Sequence, residues 1–178
     1  MKTRLVFVTG GARSGKSDFS MSVAEAAGGR LVYVATATAG DPEMAERIER
    51  HKGGRDGRWR TVEEPLDLEG ALDALKGGEN SVVIDCLTLW LTNMMSAEGG
   101  GDGFDAAVLD RTHGLAEAIR GMGGTAVVVS NEVGMGIVPG NAVSRRFRDA
   151  AGAVNRIMAG AADEVYLIVS GLPVKIKP

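Results

Sequence analysis

Leu5-Val6-Phe7-Val8-Thr9-Gly10-Gly11-Ala12-Arg13-Ser14-Gly15-Lys16-Ser17 is the stretch from which the rest of the chain is read. Gly10 opens, and Gly15-Lys16-Ser17 closes, the phosphate-binding pattern G-x-x-x-x-G-K-[ST]. The apolar run before it predicts a strand. Residues 18–27 after it predict a helix stopped by Gly28-Gly29, so the motif stands in its required strand, loop and helix context. Glycines let successive N–H groups aim at one centre, and the helix adds the positive end of its dipole, which together make an anion nest. In such a loop Lys16 reaches the β- and γ-phosphates and the Ser17 hydroxyl ligates Mg²⁺.

Three more apolar runs lie outward from this centre: Leu31-Val32-Tyr33-Val34-Ala35, Ser81-Val82-Val83-Ile84-Asp85 and Thr125-Ala126-Val127-Val128-Val129-Ser130. They do not alternate with polar residues, the signature of strands covered on both faces of a parallel sheet. With helical stretches between them they predict an α/β fold, mostly parallel sheet with helices on both faces. Ligands of such sheets sit beyond the carboxyl ends of the strands. That rule puts Thr36, Ala37 and Thr38, and the glycine-rich loop from Asn131 to Gly140, beside the nucleotide. Asp85 closes its strand as the acid that reaches Mg²⁺ opposite Ser17. Asn131 and Glu132 either position substrate or a metal-bound water, or hydrogen-bond their own loop. Two last strands are expected over 163–170 and 174–177.

Asp41-Pro42-Glu43 is a helix start, with a cap, a first-turn proline and an acid, and predicts a helix over 42–51. At about 100° per residue Met44, Ile48 and His51 share one side, so His51 is expected to look inward. Arg47, Lys52, Arg55 and Arg58 crowd round Gly53-Gly54, a cationic, glycine-hinged stretch suited to phosphates. Further helices are expected over 67–75, 87–95 and 104–122, the last with Phe104, Val108, Leu115, Ile119 and Met122 inward and His113 on the solvated side. Another, capped by Asn141, carries a stripe of Val143, Phe147, Ala151, Val154 and Met158. Glycine-rich residues 97–103 predict a mobile surface loop. Cys86 reads as a small packed residue.

The length of 178 residues suits one domain spanning 1–178. A formal charge of −3 gives no broad positive field for DNA or RNA, so nucleic acid is not an expected partner. One cysteine allows no internal disulfide and no four-ligand Cys/His zinc set, which suits a reducing cytoplasm. No apolar run approaches the roughly 18–20 residues that span a bilayer.

The chain resembles the bifunctional adenosylcobinamide kinase / adenosylcobinamide-phosphate guanylyltransferase family over nearly its whole length. The resemblance rests on the segment 9–17, on Arg47-Ile48 with His51, on Asp85-Cys86-Leu87-Thr88 with Thr92-Asn93, on Asn131-Glu132-Val133-Gly134-Met135-Gly136-Ile137-Val138-Pro139, and on Val169-Ser170-Gly171 with Val174-Lys175. It implies a RecA-like P-loop fold and a homotrimer. It also implies phosphorylation of adenosylcobinamide by ATP or GTP, followed by transfer of GMP from GTP through a guanylylated histidine, here His51. Nucleotide contacts carry over onto Gly10, Gly11, Ala12, Arg13, Ser14, Gly15, Lys16, Ser17, Thr36, Ala37, Thr38, Lys52, Gly53, Gly54, Arg55, Glu63 and Asp85. Lys16 joins His51 as the catalytic pair, and Ser17 with Asp85 holds the metal. Gly140 stands where the family commonly has Glu, and Gly152-Ala153-Val154-Asn155-Arg156 where it has Gly-Arg-Val-Asn-Gln.

The alternative that the residues also allow is a P-loop small-molecule kinase that forms no guanylylated protein. A GTPase switch would carry an Asn-Lys-x-Asp stretch to read guanine, and this chain has none. A nucleic-acid motor would need a basic, aromatic strand-tracking surface.

Overall fold

Among the described residues, seven strands form one sheet in the order β3-β2-β4-β5-β1-β6-β7. They are β1 (Arg4–Gly10), β2 (Arg30–Ala35), β3 (Trp59–Glu63), β4 (Asn80–Asp85), β5 (Thr125–Val129), β6 (Glu164–Val169) and β7 (Leu172–Lys177). Every pairing is parallel except β6 with β7, an antiparallel hairpin at one edge. The computed structural model describes residues 2–99, 101 and 103–178. The expected glycine-rich surface loop falls partly on residues 100 and 102, outside the described residues.

The central strands are buried on both sides because helices cover both faces. Helix α1 (Lys16–Ala27) packs Ala24, Phe19 and Val23 against Val6, Val8, Val83, Val127 and Val129. The other face carries α3 (Leu68–Asp73), α4 (Leu87–Glu98), α5 (Phe104–Met122) and α6 (Ala142–Ala161), which bury Leu72, Trp90, Leu91, Leu115, Ile119 and Val154 against Leu5, Phe7, Val34, Ile84 and Val128. Burial at roughly 25 cal/mol per Å² of apolar surface drives both layers together. The α5 stripe is buried as its spacing demands, and His113 is exposed opposite it.

Three elements depart from the sequence expectation. Residues Trp59–Glu63 form an edge strand, where the polar, extended stretch 61–65 reads in sequence only as a strand end or loop, because an edge needs only Trp59 buried and tolerates exposed Arg60 and Thr61. Val143 is exposed, so the α6 stripe reaches the core only from Phe147 onward. Helix α2 (Pro42–Gly53) buries no residue at all. Its apolar side is only Met44, Ala45 and Ile48, too thin a stripe to pack on the sheet, and all three are half-buried. His51 is therefore exposed rather than turned toward a core. Asp41 does cap the helix, accepting from the Met44 N–H at 2.7 Å.

Candidate functional site

The P-loop begins where β1 runs out. Gly10 has φ +151°, and a Cβ there would lie 2.5 Å from the carbonyl oxygen of Ile168 on β6, so only glycine fits between loop and sheet. Gly15, at φ +95°, turns the chain into α1. The loop is braced from outside. Gly171 N–H, in the β6–β7 turn, donates to Ser14 O at 2.9 Å, and Glu132 N–H donates to Gly10 O at 3.0 Å. Lys16 is buried, and desolvation lowers its pKa from the ordinary lysine value against the opposing pull of Asp85. Its ammonium donates to Gly11 O at 2.6 Å, a bond that a phosphate oxygen would replace.

Opposite stands Asp85, at the carboxyl end of β4. Ser17 Oγ–H donates to Asp85 Oδ2 at 2.7 Å, so the two residues paired in the sequence reading are in contact. A cavity of about 500 Å³ opens above them between the P-loop and α2. Its lining includes Arg13, Ser14, Gly15, Lys16, Ser17, Tyr33, Ala37, Met44, Ile48, His51, Asp85 and Asn131. Six cations (Arg13, Lys16, Arg47, Arg50, Lys52, Arg55) face four carboxylates (Asp18, Glu43, Glu46, Asp85) in a chain whose formal charge is −3. The lining thus carries more positive than negative side chains within an acidic chain, which suits a polyanionic ligand.

Other expected residues have contacts of their own. Thr36 is fully buried and braces the strand end: its hydroxyl donates to Cys86 O and accepts from Cys86 N–H, both at 2.8 Å. Its backbone is also occupied, the N–H by Asp85 O and the carbonyl by Asn93. Thr38 is exposed, with its hydroxyl 3.3 Å from Asn93 Oδ1. Gly53 ends α2 and Gly54 caps it, outside the cavity wall. Lys52 pairs with Glu63 at 2.7 Å and with Glu49 at 3.2 Å. Arg58 does not join the phosphate-facing group. It pairs with Asp56 and Glu25 beside a larger groove of about 750 Å³ at the amino ends of β2 and β4. Glu132 accepts from Gly134 N–H and so braces its own loop, whereas Asn131 lines the cavity and donates to Thr88 Oγ1 at 2.7 Å. Cys86 is buried and its thiol is pushed up to about 11, chiefly by desolvation, so it is no nucleophile.

Sequence reading missed Tyr33. It looked like one more apolar position of a strand, but its hydroxyl reaches Asp85 and its ring lies under Arg55. The one signal available was a polar-tipped residue in a run otherwise made of Leu, Val and Ala.

A chain of the RadB recombinase superposes with a TM-score of 0.53 at 16% identity, covering 93% of this chain and 74% of the other, a likeness of fold alone that bears out the expected P-loop architecture. Sequence comparison goes further. The bifunctional adenosylcobalamin biosynthesis protein CobU of Salmonella typhimurium is 41% identical over 181 residues, 97% of this chain and 99% of the relative. CobP of Pseudomonas aeruginosa, also a bifunctional adenosylcobalamin biosynthesis protein, is 40% identical over 96% of this chain and 95% of its own length. The family model described as cobinamide kinase / cobinamide phosphate guanyltransferase matches residues 6–176, from β1 through to β7. On both grounds the chain belongs to the cobinamide kinase / cobinamide phosphate guanyltransferase family.

Proposed function

We propose that the chain carries out both reactions of its family in one cavity. It phosphorylates the hydroxyl of adenosylcobinamide with ATP or GTP, then transfers GMP from GTP to adenosylcobinamide phosphate through a guanylylated His51, giving adenosylcobinamide-GDP. The observation that carries this reading is that His51, on α2, lines the same cavity as Lys16, Ser17 and Asp85.

In the transferase reaction the lone pair of an imidazole nitrogen of His51 attacks the α-phosphorus of GTP. The P–O bond to pyrophosphate breaks, and its electron pair leaves with pyrophosphate. Lys16 and the loop N–H groups meet the charge on the departing oxygens. A phosphate oxygen of the acceptor then attacks the same phosphorus, the P–N bond breaks, and the imidazole is regenerated. In the kinase reaction the acceptor hydroxyl attacks the γ-phosphorus of a triphosphate held by the same loop, the bond from that phosphorus to the β-bridging oxygen breaks, the nucleoside diphosphate leaves with the electron pair, the hydroxyl proton passes to solvent, and His51 takes no part. Nucleotide contacts are proposed from residues 10–17, Ala37, Thr38, Lys52–Arg55, Glu63 and Asp85.

A hydroxyl and a carboxylate in contact are hard oxygen donors of the kind Mg²⁺ accepts, with phosphates and water completing its shell. No group of three or more His, Cys, Asp or Glu that could hold a metal occurs among the described residues. Mg²⁺ bound at Ser17 and Asp85 would supply charge neutralisation on the triphosphate.

A homotrimer in the cytoplasm completes the proposal. Exposed aliphatic side chains support self-association: Met135, Ile137 and Val138 on the loop after β5, Val143 on α6, and Leu172, Val174 and Ile176 on the outer strand. The deciding experiment incubates the protein with Mg²⁺ and GTP labelled at the α-phosphorus. Acid-labile label on His51, absent in His51→Ala while ATP-dependent cobinamide phosphorylation persists, is the expected result. Equal loss of both activities in a folded His51→Ala would refute the assignment.

A further inference from the structure

One carboxylate oxygen at the floor of the cavity has two donors. Asp85 Oδ2 accepts from Ser17 Oγ–H at 2.7 Å and from Tyr33 Oη–H at 2.5 Å, while no side chain among the described residues donates to Oδ1. The two donors differ in freedom. Ser17 is half-buried at the mouth of α1, and its hydroxyl oxygen is one that a metal ion would draw on. Tyr33 is only 4% exposed and sits mid-strand, between Val83 of β4 and Thr61 of β3. Its ring is held edge-on by Trp59, with centroids 6.2 Å apart at 80°, and covered by the Arg55 guanidinium 4.1 Å from the centroid.

Ring and hydroxyl are therefore fixed by packing before any ligand arrives.

We propose that Tyr33 is a positioning residue for the metal-binding carboxylate: its hydroxyl pins Oδ2 of Asp85 and so keeps Oδ1 turned toward the divalent cation of the bound triphosphate. The inference rests on the assignment of Ser17 and Asp85 to the metal. Outer hydrogen bonds of this kind orient metal-binding groups, and their loss typically costs about 10–100-fold in metal affinity or activity. Arg55 gives the tyrosine a second connection. It follows α2 in the chain, so the ring that pins the carboxylate also carries the segment leading away from His51.

The test titrates Mn²⁺ into wild-type protein saturated with α,β-methylene-GTP, which cannot be cleaved at the α-phosphorus, with free Mn²⁺ read by electron paramagnetic resonance. Tyr33→Phe, Asp85→Ala and the double variant follow, and binding of the analogue without metal is measured in EDTA. Tyr33→Phe is expected to weaken Mn²⁺ binding about tenfold, to leave metal-free analogue binding unchanged, and to add nothing in the Asp85→Ala background. Unchanged Mn²⁺ affinity in Tyr33→Phe, an equal further loss in the double variant, or a parallel loss of metal-free binding would each overturn the proposal. So would failure of Tyr33→Phe to fold, since the hydroxyl would then be a structural necessity. If Asp85→Ala itself binds Mn²⁺ as wild type does, it is the metal assignment that fails.

Discussion

The ammonium of Lys52 stands 2.7 Å from the Glu63 carboxylate and ties the last turn of α2 to the carboxyl end of β3. Helix α2 has no buried residue and only Met44, Ala45, Ile48 and Lys52 half-buried, so this ion pair and the stacking of Arg55 on Tyr33 are two contacts that tie the helix bearing His51 to the sheet. Hydrogen bonds first to Glu63 and then to Glu49 raise the lysine pKa. A raised lysine pKa means that the contact is fully present below the ordinary value of 10.5 and is lost only as pH rises through the higher folded value. Exposed pairs add little to global stability and are screened by salt. Glu63→Gln is therefore expected to leave the thermal midpoint unchanged but to speed amide hydrogen exchange over residues 50–54. High salt should do the same to the wild type and have no further effect on the variant. Exchange that is indifferent to both changes would show that α2 is held by something else.

Gly10→Ala should be destabilising out of proportion to one methyl group. Its Cβ would meet the Ile168 carbonyl, a backbone atom that cannot step aside, at a φ that side chains rarely adopt. The expected loss is about 1–3 kcal/mol in denaturant titration, accompanied by weaker nucleotide binding. Gly11→Ala, where a Cβ meets nothing within 4 Å, is the control and should unfold like the wild type.

Acid should weaken the molecule through Glu164. This carboxylate accepts from Lys175, from Arg4 and from Tyr166, and these bonds, Lys175 first, lower its pKa from 4.5 to about 2. A depressed acid pKa gives stability that is complete above pH 4.5 and drains away as pH falls toward 2. Glu164→Gln should flatten the pH dependence of unfolding free energy across that window; an unaltered slope would put the acid sensitivity elsewhere.

Cys86 is the only cysteine, so thiol chemistry reports on a single site. Burial holds its thiol at about 11 and its side chain out of solvent. Iodoacetamide at pH 8 should leave the folded protein unmodified while the denatured chain reacts to completion. Rapid labelling of the folded form would mean that the floor of the cavity opens.

The strands around the P-loop were legible because continuous apolar runs have few other uses in a domain of this size, and α5 because its stripe is long and regular. The pairing of Ser17 with Asp85 was legible because the motif fixes one partner and a strand-terminal acid supplies the other. Helix α2 was misread in orientation. Its periodicity showed which residues share a side but not that this side would roof a charged cavity in place of the core. Arg58 was grouped with Arg47, Lys52 and Arg55 by proximity in the chain, yet α2 and β3 carry it to the opposite end of the sheet.

By itself the sequence determined the local chemistry: a glycine loop that can wrap phosphate, an acid at a strand end, a histidine on a short helix, and blocks enough to mark the family. Those features follow from neighbours a few residues apart, where backbone sterics and helix or strand periodicity settle the outcome. The tertiary structure alone decided that Tyr33 reaches Asp85, 52 positions away, that Thr36 is used up in bracing Cys86, and that Lys52 spends its charge on Glu63. Each depends on sheet register and helix placement, which arise from burying the whole core at once and leave no trace in any one segment.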